Sequence, residues 1–271
     1  MNINKMTGEV TKKDIIEKLC RLGLKRGDNI IVHSSLSSFG YVAGGADTVI
    51  GALMDLLTNE GTLVMPSFNH GAVYDNGNIF DITATPTVNG IIADTFWRKP
   101  NVLRSMNPTH SFAAWGKNAE RYISKHHLSD AMGEDSPLGM LWKDNGYCLL
   151  LGVDYGSNTF HHFVETNINA PCLSKRGEVY PVCFADGSKG FAHTWGWREK
   201  GCPITDGKRY AGLMREIHSQ IKIGKSTATL YPLQEGYKII ENCLLTGIDG
   251  FPPCFECSVK PRKCVWTKNP I

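Results

Sequence analysis

The stretch that most constrains the fold spans residues 149–165 and reads LLLGVDYGSNTFHHFVE. Its short apolar beginning, bounded by turn residues, is typical of a buried β-strand rather than a helix. Gly, Asp, Ser and Asn residues then supply a turn, and Asn158 is placed to cap a helix that begins near Thr159. In open α/β sheets, ligands bind beyond the carboxyl ends of the strands. The stretch therefore predicts a ligand site where this strand gives way to the helix.

The predicted helix carries a histidine and a carboxylate that share one face. His162 and Glu165 are three residues apart, so their side chains are neighbours on the helix surface. An imidazole can accept a proton near neutral pH, and a carboxylate bonded to one ring nitrogen fixes its tautomer and stabilises the imidazolium. The pair is a candidate general base, although the same spacing is common in solvated pairs without a catalytic role. His161 should face another direction, as a packing or surface residue.

Composition is that of an ordinary globular protein, with 42% hydrophobic and 20% charged residues. The net charge is only +3 over 271 residues, and no basic run exceeds two residues, which argues against nucleic-acid binding. No apolar segment approaches the 18 residues of a membrane span. The first residues lack the apolar region of a signal peptide, and nine cysteines are scattered through the chain, so we expect free thiols and a cytoplasmic location.

Two polar loops are candidate ligand-binding edges. The first, HSSLSSFGYVAGG, follows a predicted strand at residues 29–33 and precedes an amphipathic helix. Small hydroxylic residues and free N–H groups at a helix start can bind an anion, although a solvated connection is the alternative. The second polar cluster follows Asn107 and precedes another short strand. A histidine in such a cluster is often a structural hydrogen-bonding residue.

The remaining segments predict a single domain over residues 1–271. A divergent acceptor-side insertion covers residues 170–200, and residues 178–198 within it are expected to form hairpins beside the main sheet. A cysteine-bearing tail covers residues 250–271. Cys254, Cys257 and Cys264 in the tail would hold zinc only with a fourth ligand, so we expect thiols and no metal. Further helices are expected at residues 11–23, 87–98, 206–220 and 232–245, and another helix is expected to begin after its cap residue Ser136. A further strand is expected at residues 62–66.

Four sequence blocks together resemble the aminoglycoside 3-N-acetyltransferase family. They read IVHSSLSSFGYVAGGADTVIGALMDLLTNEGTLVMPSF, LRSMNPTHSFAAWG, GEDSPLG and LLLGVDYGSNTFHHFVE, in family order. The resemblance implies an α/β fold with three α/β/α layers around a mixed sheet, an added β-rich segment, and a topology distinct from the common acetyltransferase fold. It implies acetyl-coenzyme A as co-substrate, direct transfer to an amine of a small-molecule acceptor, and no metal; a homodimer is compatible with it.

The resemblance also assigns roles by position. His162 would be the catalytic base and Glu165 its partner, with His110 as the alternative base. The divergent region after Ala170 leaves the acceptor open, either an aminoglycoside or an amino sugar of glycan or secondary-metabolite synthesis, and a non-catalytic binding protein is a further alternative. The expected acceptor-side carboxylates are Asp75 and Asp81. The expected coenzyme-binding residues are His33, Ser34, Ser35, Leu36, Ser37, Gly40, Pro108, Thr109, His110 and Ser111.

Overall fold

A seven-stranded mixed sheet organises the chain in the computed structural model, which describes residues 8–69, 79–171, 173, 179–193, 207, 209–248 and 253–256. Three further strands form a smaller sheet. The strands are β1 (Asn29–Ser34), β2 (Thr62–Pro66), β3 (Phe80–Asp81), β4 (Leu103–Arg104), β5 (Phe112–Gly116), β6 (Tyr147–Leu151), β7 (Val179–Cys183), β8 (Lys189–His193), β9 (Ser219–Ile223) and β10 (Ser226–Pro232).

The large sheet has the order β4-β5-β2-β1-β6-β10-β9. Its centre is parallel, because β1 pairs with β2 on one side and with β6 on the other in the same direction. Ile31 in the middle of β1 lies opposite Val64 and Cys148 in this register. The outer pairs β2–β5, β5–β4, β6–β10 and β10–β9 are antiparallel. The predicted mixed central sheet is confirmed.

Helices cover both faces of this sheet and complete the three predicted layers. They are α1 (Lys12–Leu22), α2 (Gly45–Leu57), α3 (Gly90–Trp97), α4 (Ala119–Ile123), α5 (Pro137–Lys143), α6 (Phe160–Asn167), α7 (Ala211–Met214) and α8 (Leu233–Thr246). Side chains alternate across β1, since Ile30 and Val32 pack with α1 to α3 while Ile31 packs with α4, α5, α6 and α8. Two separate apolar cores follow from this alternation.

Local sequence signals account for several helix ends. Thr11 caps α1 in a reciprocal arrangement with Asp14, whose carboxylate accepts the Thr11 backbone N–H at 3.0 Å. Ser136 caps α5 by accepting the Gly139 N–H at 3.3 Å, with Pro137 as the first helical residue. Both caps were predicted from residue type alone, because capping is a local interaction.

The smaller sheet confirms the predicted hairpin of the divergent segment. β7 and β8 pair antiparallel, and β3 adds to β7 in parallel. Phe80, Met106 and Val182 form the centre of its own small apolar cluster. The short strand β3 comes from the long loop after β2, so this sheet links the loop to the divergent segment.

The helix predicted at residues 206–220 is shorter in the structure than the prediction. Of the residues that the structure describes in this range, Ala211–Met214 are helical, and Ser219 already begins strand β9. β9 and β10 form a hairpin whose turn contains Gly224 at φ +58. A β-carbon at Gly224 would lie 2.5 Å from the carbonyl oxygen of Phe39, so the close approach of the two segments requires glycine.

Among the described residues, every helix is too short or too polar to cross a bilayer.

Candidate active site

One edge of the large sheet collects most of the predicted site residues. The carboxyl ends of β1, β2 and β6 lie there, and β5 begins there because Phe112 pairs with Pro66 of antiparallel β2. The serine-rich loop follows β1, the polar cluster precedes β5, and the loop to α6 follows β6. The topology therefore brings the predicted base and both predicted ligand loops to the same edge of the sheet.

His162 and Glu165 form a contact on α6. Nδ1 of His162 lies 3.0 Å from Oε2 of Glu165. The carboxyl group is completely buried, whereas the histidine side chain is 22% exposed. An ionised carboxylate in this position orients the ring and stabilises it when it is protonated. The geometry suits a general base whose partner is shielded from solvent.

Asn158 fixes the start of α6. Its Oδ1 accepts the N–H of Phe160 at 3.3 Å and the hydroxyl of Tyr231 at 3.0 Å, and its Nδ2 donates to the hydroxyl of Tyr210 at 3.1 Å. The cap position of α6 is Thr159, which makes no side-chain cap hydrogen bond, so the expectation that Asn158 caps the helix is wrong by one residue; α6 begins at Phe160, whose N–H group Asn158 accepts. The same side chain also ties the helix to β10, because Tyr231 lies on that strand.

His161 meets one part of its expectation and departs from the other. It is only 2% exposed, its ring stacks on Tyr210 at 5.5 Å between centroids, and its Nε2 lies 3.2 Å from Oε1 of Glu165. Its burial and stacking fit the expected packing residue. The expectation that it faces another direction than the pair is wrong, because His161 and Glu165 are four residues apart and therefore neighbours on the helix. That spacing is visible in the sequence and is the signal that would have found the contact.

His33 lies at the end of β1, close to the base. Its Nε2 is 3.3 Å from Oγ1 of Thr159, the residue before α6. Burial, and secondarily the charge of His162, lower the pKa of His33 to about 3. His33 is therefore neutral at physiological pH. Its predicted contact with the coenzyme stays a prediction.

The serine-rich loop forms a single 3-10 turn, Leu36–Phe39, after β1. The N–H of Ser35 donates to the carbonyl of Leu151 at 3.0 Å, which fastens the loop to β6. Ser35 and Ser37 have their hydroxyl oxygens 3.2 Å apart, and the loop residues 34–37 are at least partly exposed. The hydroxyl groups of this loop are therefore available at the sheet edge, as the prediction requires.

Lys225 adds a positive charge beside this loop. The Lys225 side chain lies against Gly40, which has φ +82. A β-carbon built on Gly40 would lie 3.4 Å from Cδ of Lys225. The Lys225 N–H also donates to the carbonyl of Phe39 at 3.0 Å. Sequence analysis missed Lys225, since no local signal connects the β9–β10 turn with a loop almost two hundred residues earlier.

The second polar cluster, residues 108–111, is buried. Asn107 accepts the N–H groups of Thr109 and His110 at 3.2 and 2.8 Å, and Ser111 donates to Oδ1 of Asn69 at 3.0 Å. Nδ1 of His110 lies 2.8 Å from the Thr109 hydroxyl. These contacts join the loop after β2 to the start of β5. The side chains of Thr109, His110 and Ser111 thus have structural roles, and coenzyme contact by residues 108–111 stays a prediction.

The acceptor-side carboxylates occupy different situations. Asp75 lies outside the described residues. Oδ1 of Asp81 accepts the hydroxyl of Thr83 at 2.7 Å and its N–H at 2.8 Å, and hydrogen bonding by Thr83 lowers the pKa of Asp81. This carboxylate organises a turn that follows β3. Its predicted attraction for a cationic acceptor stays a prediction.

Possible metal ligands were also located. Within the described ranges, the one such cluster is His161, His162 and Glu165, whose ligand atoms lie within 4.8 Å of one another. Cys243 and Cys254 are buried, while Cys257 and Cys264 lie outside the described residues. The tail cysteines are therefore not shown to form a site.

Comparisons with known proteins give a consistent result. The family described as aminoglycoside 3-N-acetyltransferase matches residues 31–244. The chain is 40% identical over 187 residues to an SPbeta prophage-derived aminoglycoside N(3')-acetyltransferase-like protein, YokD, from Bacillus subtilis; the match covers 62% of this chain and 69% of that protein.

Two solved structures are similar in fold and carry ligands. The structure titled AAC-IIIb binary with CoASH has 25% identity and a TM-score of 0.77, covering 90% of this chain and all of that one. A mutant of aminoglycoside acetyltransferase AAC(3)-IVa in complex with a gentamicin has 28% identity and a TM-score of 0.72, covering 87% of this chain and 88% of that one.

Proposed function

Because the chain belongs to the aminoglycoside 3-N-acetyltransferase family, we propose that it transfers the acetyl group of acetyl-coenzyme A directly to an amine of an aminoglycoside-like or amino-sugar acceptor. The observation that carries the proposal is the contact of the partly exposed His162 with the buried carboxyl group of Glu165, at the sheet edge where β1, β2 and β6 end. Two relatives, one bound to coenzyme A and one to an aminoglycoside, support the choice of both reactants.

His162 acts as the general base. The acceptor nitrogen attacks the thioester carbonyl carbon and must lose a proton as the new bond forms. With Nδ1 held by Glu165, the other ring nitrogen, Nε2, takes that proton directly or through one water. When the tetrahedral intermediate collapses, the carbon–sulfur bond breaks and the imidazolium returns a proton to the departing thiolate. Glu165 stabilises the imidazolium between these two steps.

The serine-rich loop binds the coenzyme. Hydroxyl and backbone N–H groups of residues 34–37 offer donors to phosphate oxygens, and Lys225 supplies a positive charge beside Gly40. The loop is fastened to β6 and therefore keeps a fixed distance from the strand that leads to α6. Phosphate groups bound here would allow the thioester to reach toward His162 across the same edge of the sheet.

A thiol-release assay tests the proposal. The protein is incubated with acetyl-coenzyme A and a panel of aminoglycosides and simple amino sugars, and free coenzyme A is followed with a thiol reagent. We expect acceptor-dependent release that is lost in His162→Ala. Release of coenzyme A with amino sugars but not with aminoglycosides would indicate an amino-sugar acceptor of glycan or secondary-metabolite synthesis. Absence of acceptor-dependent release, with coenzyme binding intact, would favour a non-catalytic binding protein.

A further inference from the structure

The carboxyl group of Glu165 lies between two imidazoles. Its Oε2 is 3.0 Å from Nδ1 of His162, and its Oε1 is 3.2 Å from Nε2 of His161. Glu165 is completely buried, and the His161 side chain is only 2% exposed. The proposed base therefore uses one oxygen of this carboxylate while the neighbouring histidine faces the other.

The surroundings of His161 determine which of its nitrogens carries the proton. A lone pair held 3.2 Å from a carboxylate oxygen would be repelled, so Nε2 carries hydrogen. The geometry of the contact between Nε2 and Oε1 of Glu165 is not that of a regular hydrogen bond. Among the described residues, neither ring nitrogen of His161 has a well-aligned hydrogen-bond partner. A buried N–H group without an aligned partner is costly, so a histidine at this position needs an explanation other than packing.

The orientation of the His161 ring is set by stacking. The rings of His161 and Tyr210 are nearly parallel, with 9° between their planes. Tyr210 is itself fixed, because its hydroxyl accepts from Nδ2 of Asn158 at 3.1 Å. The stack keeps Nε2 of His161 beside Oε1 of Glu165 and limits the rotation of that carboxylate. A phenylalanine would fit the same stack but would offer no N–H group.

We propose that His161 is a positioning residue for the transfer reaction: its Nε2–H group holds the buried carboxylate of Glu165 ionised and turned toward His162. The proposal rests on the proposed role of His162 as the base. In this role His161 needs no contact with either reactant. It acts through Glu165, since a buried carboxylate that keeps a donor on one oxygen remains available as an anion for the imidazolium on the other.

The decisive variant is His161→Phe, compared with His161→Gln. Phenylalanine preserves the stack and removes the donor, whereas the Gln amide places a donor near the original Nε2. We expect His161→Phe to lower kcat about 10-fold, the scale of one hydrogen bond to a charged group. His161→Gln should recover most of the loss. KM for acetyl-coenzyme A and the thermal midpoint of His161→Gln should match the parent protein.

The pH profile separates positioning from packing. Without the donor, the anionic pair of Glu165 and His162 binds a proton more readily, so the acidic limb of kcat/KM should move to higher pH in His161→Phe. Glu165→Gln should move the same limb to lower pH, because it removes the negative charge. Adding His161→Phe to Glu165→Gln should cause no further loss of kcat, since the donor then has no carboxylate to hold.

Three outcomes would overturn the proposal: an acidic limb unmoved in His161→Phe, losses that multiply in the double variant, or a His161→Gln variant as slow as His161→Phe. The parent and His162→Ala proteins are measured in the same series. If His162→Ala keeps full turnover, the proposed function fails. If His162→Ala is inactive but His161→Phe behaves like the parent protein, only the role of His161 fails.

Discussion

Nδ1 of His162 lies 3.0 Å from a carboxyl oxygen of Glu165 that no solvent reaches. The two side chains differ in exposure, so one is open to a reactant while the other is isolated from water. Electrostatic interactions are stronger where water is excluded, and the stabilisation of an imidazolium by this carboxylate should be larger than in an exposed pair. Several measurable properties depend on this arrangement.

Removal of the base should affect chemistry and leave binding intact. His162→Ala is expected to lower kcat about 10²–10⁴-fold, the usual effect of losing a general base. The dissociation constant for coenzyme A, measured by calorimetry, should hardly change. His110→Ala is the comparison, because His110 is the alternative base although it is buried and bonded to Thr109. A normal rate in His162→Ala together with an inactive His110→Ala would reverse the assignment.

Loss of the partner charge should change the pH dependence. Glu165→Gln keeps the size of the side chain but removes the anion, so the pKa of His162 should fall and the acidic limb of kcat/KM should move to lower pH. Turnover should also decrease, though less than in His162→Ala. The two losses should not add in the double variant, because the residues act as one unit. An unchanged acidic limb in Glu165→Gln would show that this carboxylate does not act on the base.

The positive charge beside the serine-rich loop should matter for the coenzyme. Lys225→Met keeps the aliphatic contact with Gly40 but removes the ammonium group, and KM for acetyl-coenzyme A should rise about 5-fold, the upper range for a surface ion pair. Lys222→Met is the matched control, because Lys222 lies on the same hairpin and bonds Thr227 instead. Equal effects of the two substitutions would indicate a general charge effect and not a site.

Placing a negative charge in the loop is a second test of coenzyme binding. Ser35→Asp introduces a carboxylate next to the expected phosphates, so coenzyme affinity measured by calorimetry should fall strongly. Ser35→Ala controls for loss of the hydroxyl contact with Ser37. Unchanged affinity in Ser35→Asp would place the phosphates elsewhere.

Gly152 should be required for stability at the end of β6. It adopts φ +77, and a β-carbon there would lie 1.8 Å from Oγ of Ser38, which is bonded to the carbonyl of Ser35. Gly152→Ala should lower the free energy of unfolding by about 2–3 kcal/mol through strain and steric overlap. Gly187→Ala is the control, since Gly187 has φ +83 but open space around it, and should cost only about 1 kcal/mol. Denaturant titration measures the free energy of unfolding of both variants. An equal decrease in Gly152→Ala and Gly187→Ala would exclude a role for the contact with Ser38.

Much of the fold could be predicted because its signals are local. The apolar run before Gly152 predicted strand β6, and Thr11 and Ser136 predicted the starts of α1 and α5. The placement of His162 and Glu165 on one helix face followed from helical periodicity. The helix expected at residues 206–220 failed since β9 is stabilised by pairing with β10, a contact that its own sequence does not encode.

The sequence by itself therefore determined the α/β class, the central strands and the identity of the His162–Glu165 pair. Tertiary structure decided how that pair is surrounded. It buried Glu165, brought Tyr210 against His161, placed Lys225 beside Gly40 and enclosed residues 108–111. Spacing along a helix is fixed by backbone geometry within a few residues, whereas burial and long-range neighbours depend on how distant segments pack together.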